Sequence, residues 1–253
     1  MKKFEVYAHQ GGSFPPNSFY AFGVAERTGA NGIETDVCLT TDGKAIIHHP
    51  GTLNPDPADL TWARINEFYP HIPDLDAFFV FLHYHWQLKC LLDIKQNSQA
   101  LVKIIVCKMK EGDMYERVIL TTPKNKIPWA GLYADAGLLA YAKKLDNRVK
   151  THIIDTFPFN LANTARSYKA DMVSFGWLND SFASRILFGL LFKTGLRDMS
   201  EEVKRAQREG SRVMMGTPNT QEEIAGLVSI CPTVDAILTD NPEMAVAIRD
   251  SKN

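Results

Sequence analysis

The sequence lacks closely spaced cysteines. Its four, Cys38, Cys90, Cys107 and Cys231, are scattered over 253 residues, which excludes a disulfide framework and a zinc site and reads as reduced and intracellular. It also lacks an excess of either charge, since 28 Lys and Arg stand against 29 Asp and Glu, a formal net charge of -1. That balance argues against nucleic acid as a partner, and no basic amphipathic stretch suggests a membrane surface. Long apolar runs are missing too. The stretch 186–192 is far too short to span a bilayer. Behind Lys2 and Lys3 the polar run from His9 to Ser13 leaves no room for the apolar core of a secretory signal. A cytoplasmic setting is expected. No low-complexity tract, repeat or linker divides the chain, so 1–253 is expected to be a single domain, with a homo-oligomer left open.

What the sequence does contain is a steady alternation of short β-like runs with helical stretches, the mark of a parallel α/β fold. Strands are predicted at 4–8, 32–36, 45–49, 90–94, 117–121, 151–154, 171–175, 212–215 and 236–239, with helical patterns such as 18–28, 99–110, 138–144, 201–208 and 222–228 between them. The length suits a (β/α)8 TIM barrel, but nine strands are one too many. Runs 32–36 and 45–49 are joined through Thr40-Thr41-Asp42-Gly43, too short for a helical crossover, and Asp-Gly between apolar runs signals a hairpin. The extra run is therefore expected to fold back antiparallel above the barrel mouth, after strand 2. A two-residue Asp42-Gly43 turn pairs Thr41 with Lys44 and sets Asp36 opposite His49; a bulge would shift that register by one.

Barrel enzymes assemble their sites at the carboxyl ends of the strands. There the sequence offers His9, then Glu34-Thr35-Asp36, then His49, then Asp93-Ile94-Lys95. Glu34 and Asp36 are two apart and share one face of a strand. Such like charges repel unless a cation lies between them, and with Asp93 they make three oxygen donors suited to Mg2+ or Ca2+. His9 and His49 suit acid–base work, and Lys95 could neutralise a phosphoryl oxygen. His48, His71 and His152 read as hydrogen-bonded packing residues. His83 and His85 lie in a helical pattern where a spacing of two is not one face.

The assembled residues resemble the glycerophosphodiester phosphodiesterase family. Its opening pattern is matched by Ala8-His9-Gln10-Gly11, Pro15-Pro16-Asn17-Ser18, Ala21-Phe22, Gly29-Ala30 and Glu34-Thr35-Asp36-Val37. The next segment is matched by Thr40-Thr41-Asp42-Gly43 running to His48-His49-Pro50. Later landmarks are Leu60-Thr61, Ile72-Pro73-Asp74-Leu75, Asp93-Ile94-Lys95 and Ile237-Leu238-Thr239-Asp240-Asn241-Pro242. The likeness runs nearly the whole chain in order, densest over the first fifty residues and carried from 115 to 210 mainly by strand–helix rhythm. It implies a hydrolase of small-molecule phosphodiesters with Glu34, Asp36 and Asp93 as metal ligands. His9 and His49 are then the acid–base pair, and Lys95 a phosphate contact.

The departures fall on the substrate-holding parts. Gln10 stands for the family arginine and Pro16 for the glutamate of its PENT motif; a link between the two requires them to be neighbours. Pro50 stands for the aspartate after the second histidine, Asp93 for a glutamate (as in the related sphingomyelinase D group), and Gly216 for a tryptophan at the barrel mouth. Gln10 and Gly216 are thus substrate-side positions, and a lysophospholipid or sugar phosphodiester is an expected substrate beside the simple glycerophosphodiesters. Two other readings keep the same residues: a phospholipase D-like lyase or transferase giving a cyclic phosphate, and a degenerate barrel that binds without turnover. A loop over the mouth is expected at 51–59. The stretch 182–192 reads as a packed barrel helix, or as apolar surface for a lipid tail or partner subunit.

Overall fold

The computed structural model describes residues 3–126, 134–155, 160–176 and 198–251. Eight parallel strands close into a ring: β1 (Glu5–Ala8), β2 (Gly32–Leu39), β4 (Lys89–Ile94), β5 (Val118–Pro123), β6 (Lys150–Ile154), β7 (Met172–Gly176), β8 (Arg212–Gly216) and β9 (Ala236–Thr239). β9 and β2 both pair with β1, which closes the ring. The ninth strand, β3 (Ala45–Ile47), pairs antiparallel with the far end of β2, outside the ring. This is the expected (β/α)8 barrel with a hairpin after its second strand.

The strands form because their sequences are rich in branched and apolar residues that must be buried on both faces. Their outward side chains, such as Ile33, Leu92, Val118, Val173 and Val213, pack under the surrounding helices. Among those helices are α1 (Phe19–Arg27), α2 (Trp62–Phe68), α3 (Leu75–Tyr84) and α4 (Gln99–Glu111). α4 shows the local logic: Ser98 caps its first turn through Leu101 N–H, and Leu101, Val102, Ile105, Val106 and Met109 form one buried face. Emptying that face, as in Ile105→Ala, costs about 2–5 kcal/mol. The stretch 182–192 lies outside the described residues. Among the described residues no helix is long and apolar enough to cross a membrane.

Followed once around the ring, the registers return to β1 eight residues from their start, the shear of an eight-stranded barrel whose interior fills in layers of four. The lowest layer is charged: Glu5, Lys89, Lys150 and Arg212, with Glu5 ion-paired to Lys89 and Arg212. Gly32, Ile119, Met172 and Ala236 follow, then Tyr7, Leu91, His152 and Met214. The fourth layer, Glu34, Thr121, Ser174 and Leu238, opens the polar zone. Largely apolar layers separate Glu5 at the bottom from Glu34 and the polar zone above.

The hairpin register differs from the two-residue turn expected. Val37 faces Ile47 and Leu39 faces Ala45, so His48, whose N–H donates to the Asp36 carbonyl, lies opposite Asp36 in place of His49. The cause is a three-residue turn, 41–43, in which Gly43 takes φ 80°, a left-handed conformation that glycine adopts without penalty.

Candidate active site

β2 and β4 place three carboxylates together. Asp36 pairs in register with Asp93, Glu34 sits two residues below Asp36, and single oxygens of all three lie within 4.8 Å of one another. All three side chains are buried. Lys95, just past β4, sets its ammonium 2.9 Å from Asp36 Oδ1 and 2.6 Å from Asp93 Oδ2. Burial alone would lower the Lys95 pKa, but Asp36, Asp93 and Glu34 together drive it well above the usual lysine range.

One ammonium cannot balance three carboxylates, and their titration is split accordingly. Burial, reinforced by the charge of Asp36, raises Glu34. Burial likewise raises Asp93, against the pull of Lys95. Asp36 moves down despite burial, held ionised by Lys95, His49 and the amide of Asn17. Oδ1 of Asp93 is buried without a hydrogen-bond donor, a costly state for carboxylate oxygen, and Oδ1 of Asp36 has the Lys95 charge beside it but no geometric hydrogen bond. An all-oxygen donor set with these two atoms fits a hard divalent cation.

The loop after β1 delivers His9 and Gln10. His9 Nδ1 lies 2.6 Å from Asp240 Oδ1, and its Nε2 is 3.8 Å from Glu34 Oε2. Burial would depress His9, but the Asp240 bond and the charges of Glu34, Asp240 and Asp36 push it up to about 9. A third of its side chain faces solvent, which tempers that rise. Asp240 follows β9 and is itself held by Asn219, whose Nδ2 donates to Oδ2 and whose Oδ1 accepts the Asp240 N–H. Neither Asp240 nor Asn219 was singled out from the sequence. Asp240 stands in the closing motif, and a carboxylate one residue past the last strand was the available signal.

Gln10, at φ 49°, turns toward β2. Its backbone N–H donates to Glu34 Oε2 at 3.1 Å and its side-chain amide donates to Asp36 Oδ2 at 2.7 Å. Positions 10 and 16 are neighbours, because the amide joining Pro16 to Asn17 donates to the Gln10 carbonyl. Asn17 is a further residue that sequence reasoning passed over. Its Nδ2 donates to Asp36 Oδ2, while its Oδ1 accepts from the Thr35 hydroxyl and the Asp36 N–H.

His49 leaves the end of the hairpin half-buried, with Nδ1 2.8 Å from the Pro50 carbonyl. A carbonyl only accepts, so Nδ1 carries a proton and Nε2 is the ring nitrogen left to exchange one. His48 is buried, 3.3 Å from Asp56. Asp56 also takes the N–H groups of Gly51 and Ala58, which ties the 51–59 loop together. His152 is buried in the barrel interior: Nδ1 meets Thr121 Oγ1 at 3.2 Å while Nε2 has no partner. His85 pairs with Glu26 away from the triad. Gly216 ends β8 facing inward, and a Cβ there would lie 3.0 Å from Leu238 Cβ.

A family model described as the glycerophosphoryl diester phosphodiesterase family matches residues 9–244. Over 52 residues the chain is 44% identical to a glycerophosphodiester phosphodiesterase of Bacillus altitudinis; that stretch spans 20% of this chain and 21% of that protein, about a fifth of each. Among solved structures, a glycerophosphodiester phosphodiesterase from Parabacteroides distasonis superposes with a TM-score of 0.78 at 15% identity, covering 99% of this chain and 98% of that one. A phosphodiesterase from Oleispira antarctica, solved in complex with the product sn-glycerol-3-phosphate, gives 0.73 at 17% identity, covering 97% and 96%. At these identities the structural likeness speaks for the fold.

Proposed function

Because the chain belongs to the glycerophosphoryl diester phosphodiesterase family, we propose that it is a phosphoric diester hydrolase. It cleaves a glycerophosphodiester, or a related lysophospholipid or sugar phosphodiester, to an alcohol and a phosphomonoester, within one domain. The observation that carries this reading is the triad of Glu34, Asp36 and Asp93 within 4.8 Å at the barrel mouth, with Lys95 and His9 against it. The phosphomonoester bound in the Oleispira structure is a product of the kind expected.

Glu34, Asp36 and Asp93 would hold one divalent cation, Mg2+ or Ca2+, which when bound supplies charge stabilisation to the phosphoryl oxygens. Lys95 adds a positive charge beside the same oxygens. His49, with its proton fixed on Nδ1, offers Nε2 as the base that takes a proton from water as its oxygen bonds to phosphorus. His9, kept protonated by Asp240, gives its proton to the alcohol oxygen as the phosphorus–oxygen bond breaks.

The test is 31P NMR of the full chain with glycero-, lysophospho- and sugar phosphodiesters, in Mg2+, in Ca2+ and in chelator, beside His49→Ala. Turnover that needs both cation and His49 is expected. A cyclic phosphate signal would point to the lyase chemistry, and no turnover under any cation would leave a binding barrel.

A further inference from the structure

We infer that Asn219 is a positioning residue for the acid–base step, clamping Asp240 so that one of its carboxylate oxygens stays turned to His9. This rests on the proposed role of His9 as donor of the proton to the leaving alcohol.

Asp240 lies one residue past β9, and half of its side chain faces solvent. So open a carboxylate samples several rotamers unless it is held. Among the described residues only His9 and Asn219 hold it. Oδ1 faces His9 Nδ1 at 2.6 Å, and Oδ2 accepts from Asn219 Nδ2. Asn219 also grips the backbone, its Oδ1 accepting the Asp240 N–H at 2.9 Å. That second bond settles the direction of the amide. A backbone N–H only donates, so the oxygen of Asn219 must face it and the NH2 must face the carboxylate. One side chain therefore fixes both ends of Asp240 and leaves the other carboxylate oxygen directed at His9.

Asn219 is braced from behind. Its own N–H donates to Glu223 Oε2 at 2.8 Å, and Glu223 closes a capping box with Thr220 at the start of the helix Gln221–Ile230. The hydroxyl of Thr239 donates to the Pro218 carbonyl at 2.7 Å, which ties the loop after β8 to the end of β9. Three loops are joined in this way, those after β8, β9 and β1, with Asn219, Asp240 and His9 as their links. A carboxylate accepts such an amide bond more strongly than a neutral oxygen does. Without the amide Asp240 is free to turn, and the imidazole loses its fixed direction. Misdirecting a proton donor slows the chemical step and leaves ground-state binding nearly untouched.

The test is steady-state kinetics of the full chain on glycerophosphocholine with Mg2+, beside NMR of 15N-histidine-labelled protein. Asn219→Ala should lower kcat roughly tenfold and move KM by less than about twofold. Asp240→Ala should lower kcat further, and adding Asn219→Ala to it should change nothing more, since the amide then has no carboxylate to hold. The His9 Nδ1 proton should give a far-downfield signal in wild type that Asn219→Ala shifts or removes. Should Asn219→Ala not fold, Asn219→Asp keeps the acceptor for the Asp240 N–H, loses the donor, and carries the same expectation for kcat and for the signal. A wild-type kcat in the folded variant overturns the inference. So does a loss that multiplies with that of Asp240→Ala, as a purely structural role would give. If wild type does not turn over the substrate, the proposed reaction fails and the signal alone decides the clamp. A signal absent from wild type, or unmoved by the variant, overturns it.

Discussion

Nδ1 of His9 and Oδ1 of Asp240 lie 2.6 Å apart, joining the loop after the first strand to the loop after the last across the closure of the barrel. Asp240 fixes the ring and favours its charged form. Asp240→Asn should therefore lower kcat roughly 10–100-fold with little change in KM, because the residue acts through His9 and not on substrate. A change confined to KM in steady-state kinetics would contradict that assignment.

Removing the cation offers a second check. Burial and Asp36 already raise Glu34 toward its neutral form, so Glu34→Gln should change the melting temperature of the chelated protein very little. Wild type should gain about 2.7 kcal/mol at a Mg2+ concentration 100 times Kd, and Glu34→Gln should lose that gain. A thermal shift with Mg2+ that survives in the variant would remove Glu34 from the ligand set.

Lys95 balances Asp36 and Asp93 from a site 14% exposed. Lys95→Met leaves those charges unpaired, so the metal-free protein should lose about 3–5 kcal/mol. Mg2+ should stabilise this variant more than it stabilises wild type, since the cation then neutralises more charge. Equal shifts on Mg2+ titration in the two proteins would count against the shared field.

His152 governs a different property. Burial takes its pKa from 6.5 down to about 3, so the folded protein resists a proton that the unfolded chain accepts. A depressed pKa contributes stability above the unfolded value, and that stability is lost as pH falls from about 6.5 toward 3. The loss amounts to about 2 kcal/mol at pH 5 and nearly nothing at pH 7.5. His152→Leu, which fits the layer of Tyr7, Leu91 and Met214, should flatten this slope. Urea denaturation of both proteins at pH 5 and 7.5 reads it directly, and parallel slopes would place the acid sensitivity elsewhere.

A packing prediction concerns Gly176, where any Cβ would overlap the Gly216 carbonyl oxygen. Gly176→Ala should cost roughly 3 kcal/mol or more and loosen the β7–β8 edge of the mouth. A variant as stable as wild type in urea would mean these strands separate more easily than their packing implies.

Much of the barrel was legible because each strand is a run of branched apolar residues, and Glu34, Asp36, Asp93 and Lys95 fall at strand ends where the fold gathers them. What escaped was set by contacts distant in sequence. Asn219 reaches Asp240 across 21 residues, and Asp240 reaches His9 across 231, distances over which local pattern carries no information. Short helices such as α2 and 161–168 escaped because seven or eight residues span only about two turns, too few to show a helical period. The final helix, Pro242–Asp250, did carry a signal, an Asn241 cap followed by Pro242 at its first position. The hairpin register was misjudged because Asp-Gly predicts two turn residues and the chain uses three.

That third residue has a reach well beyond the turn. A strand counts in twos, so a slip that tightened the turn to Asp42-Gly43, with Thr41 drawn into the strand opposite Lys44, would set His49 opposite Asp36 and swing its neighbour to the other face. Two adjacent histidines soften such a slip, since each face of the hairpin arm would still receive one imidazole. The hairpin is thus buffered against a one-residue slip of its own register, which would leave an imidazole on each face.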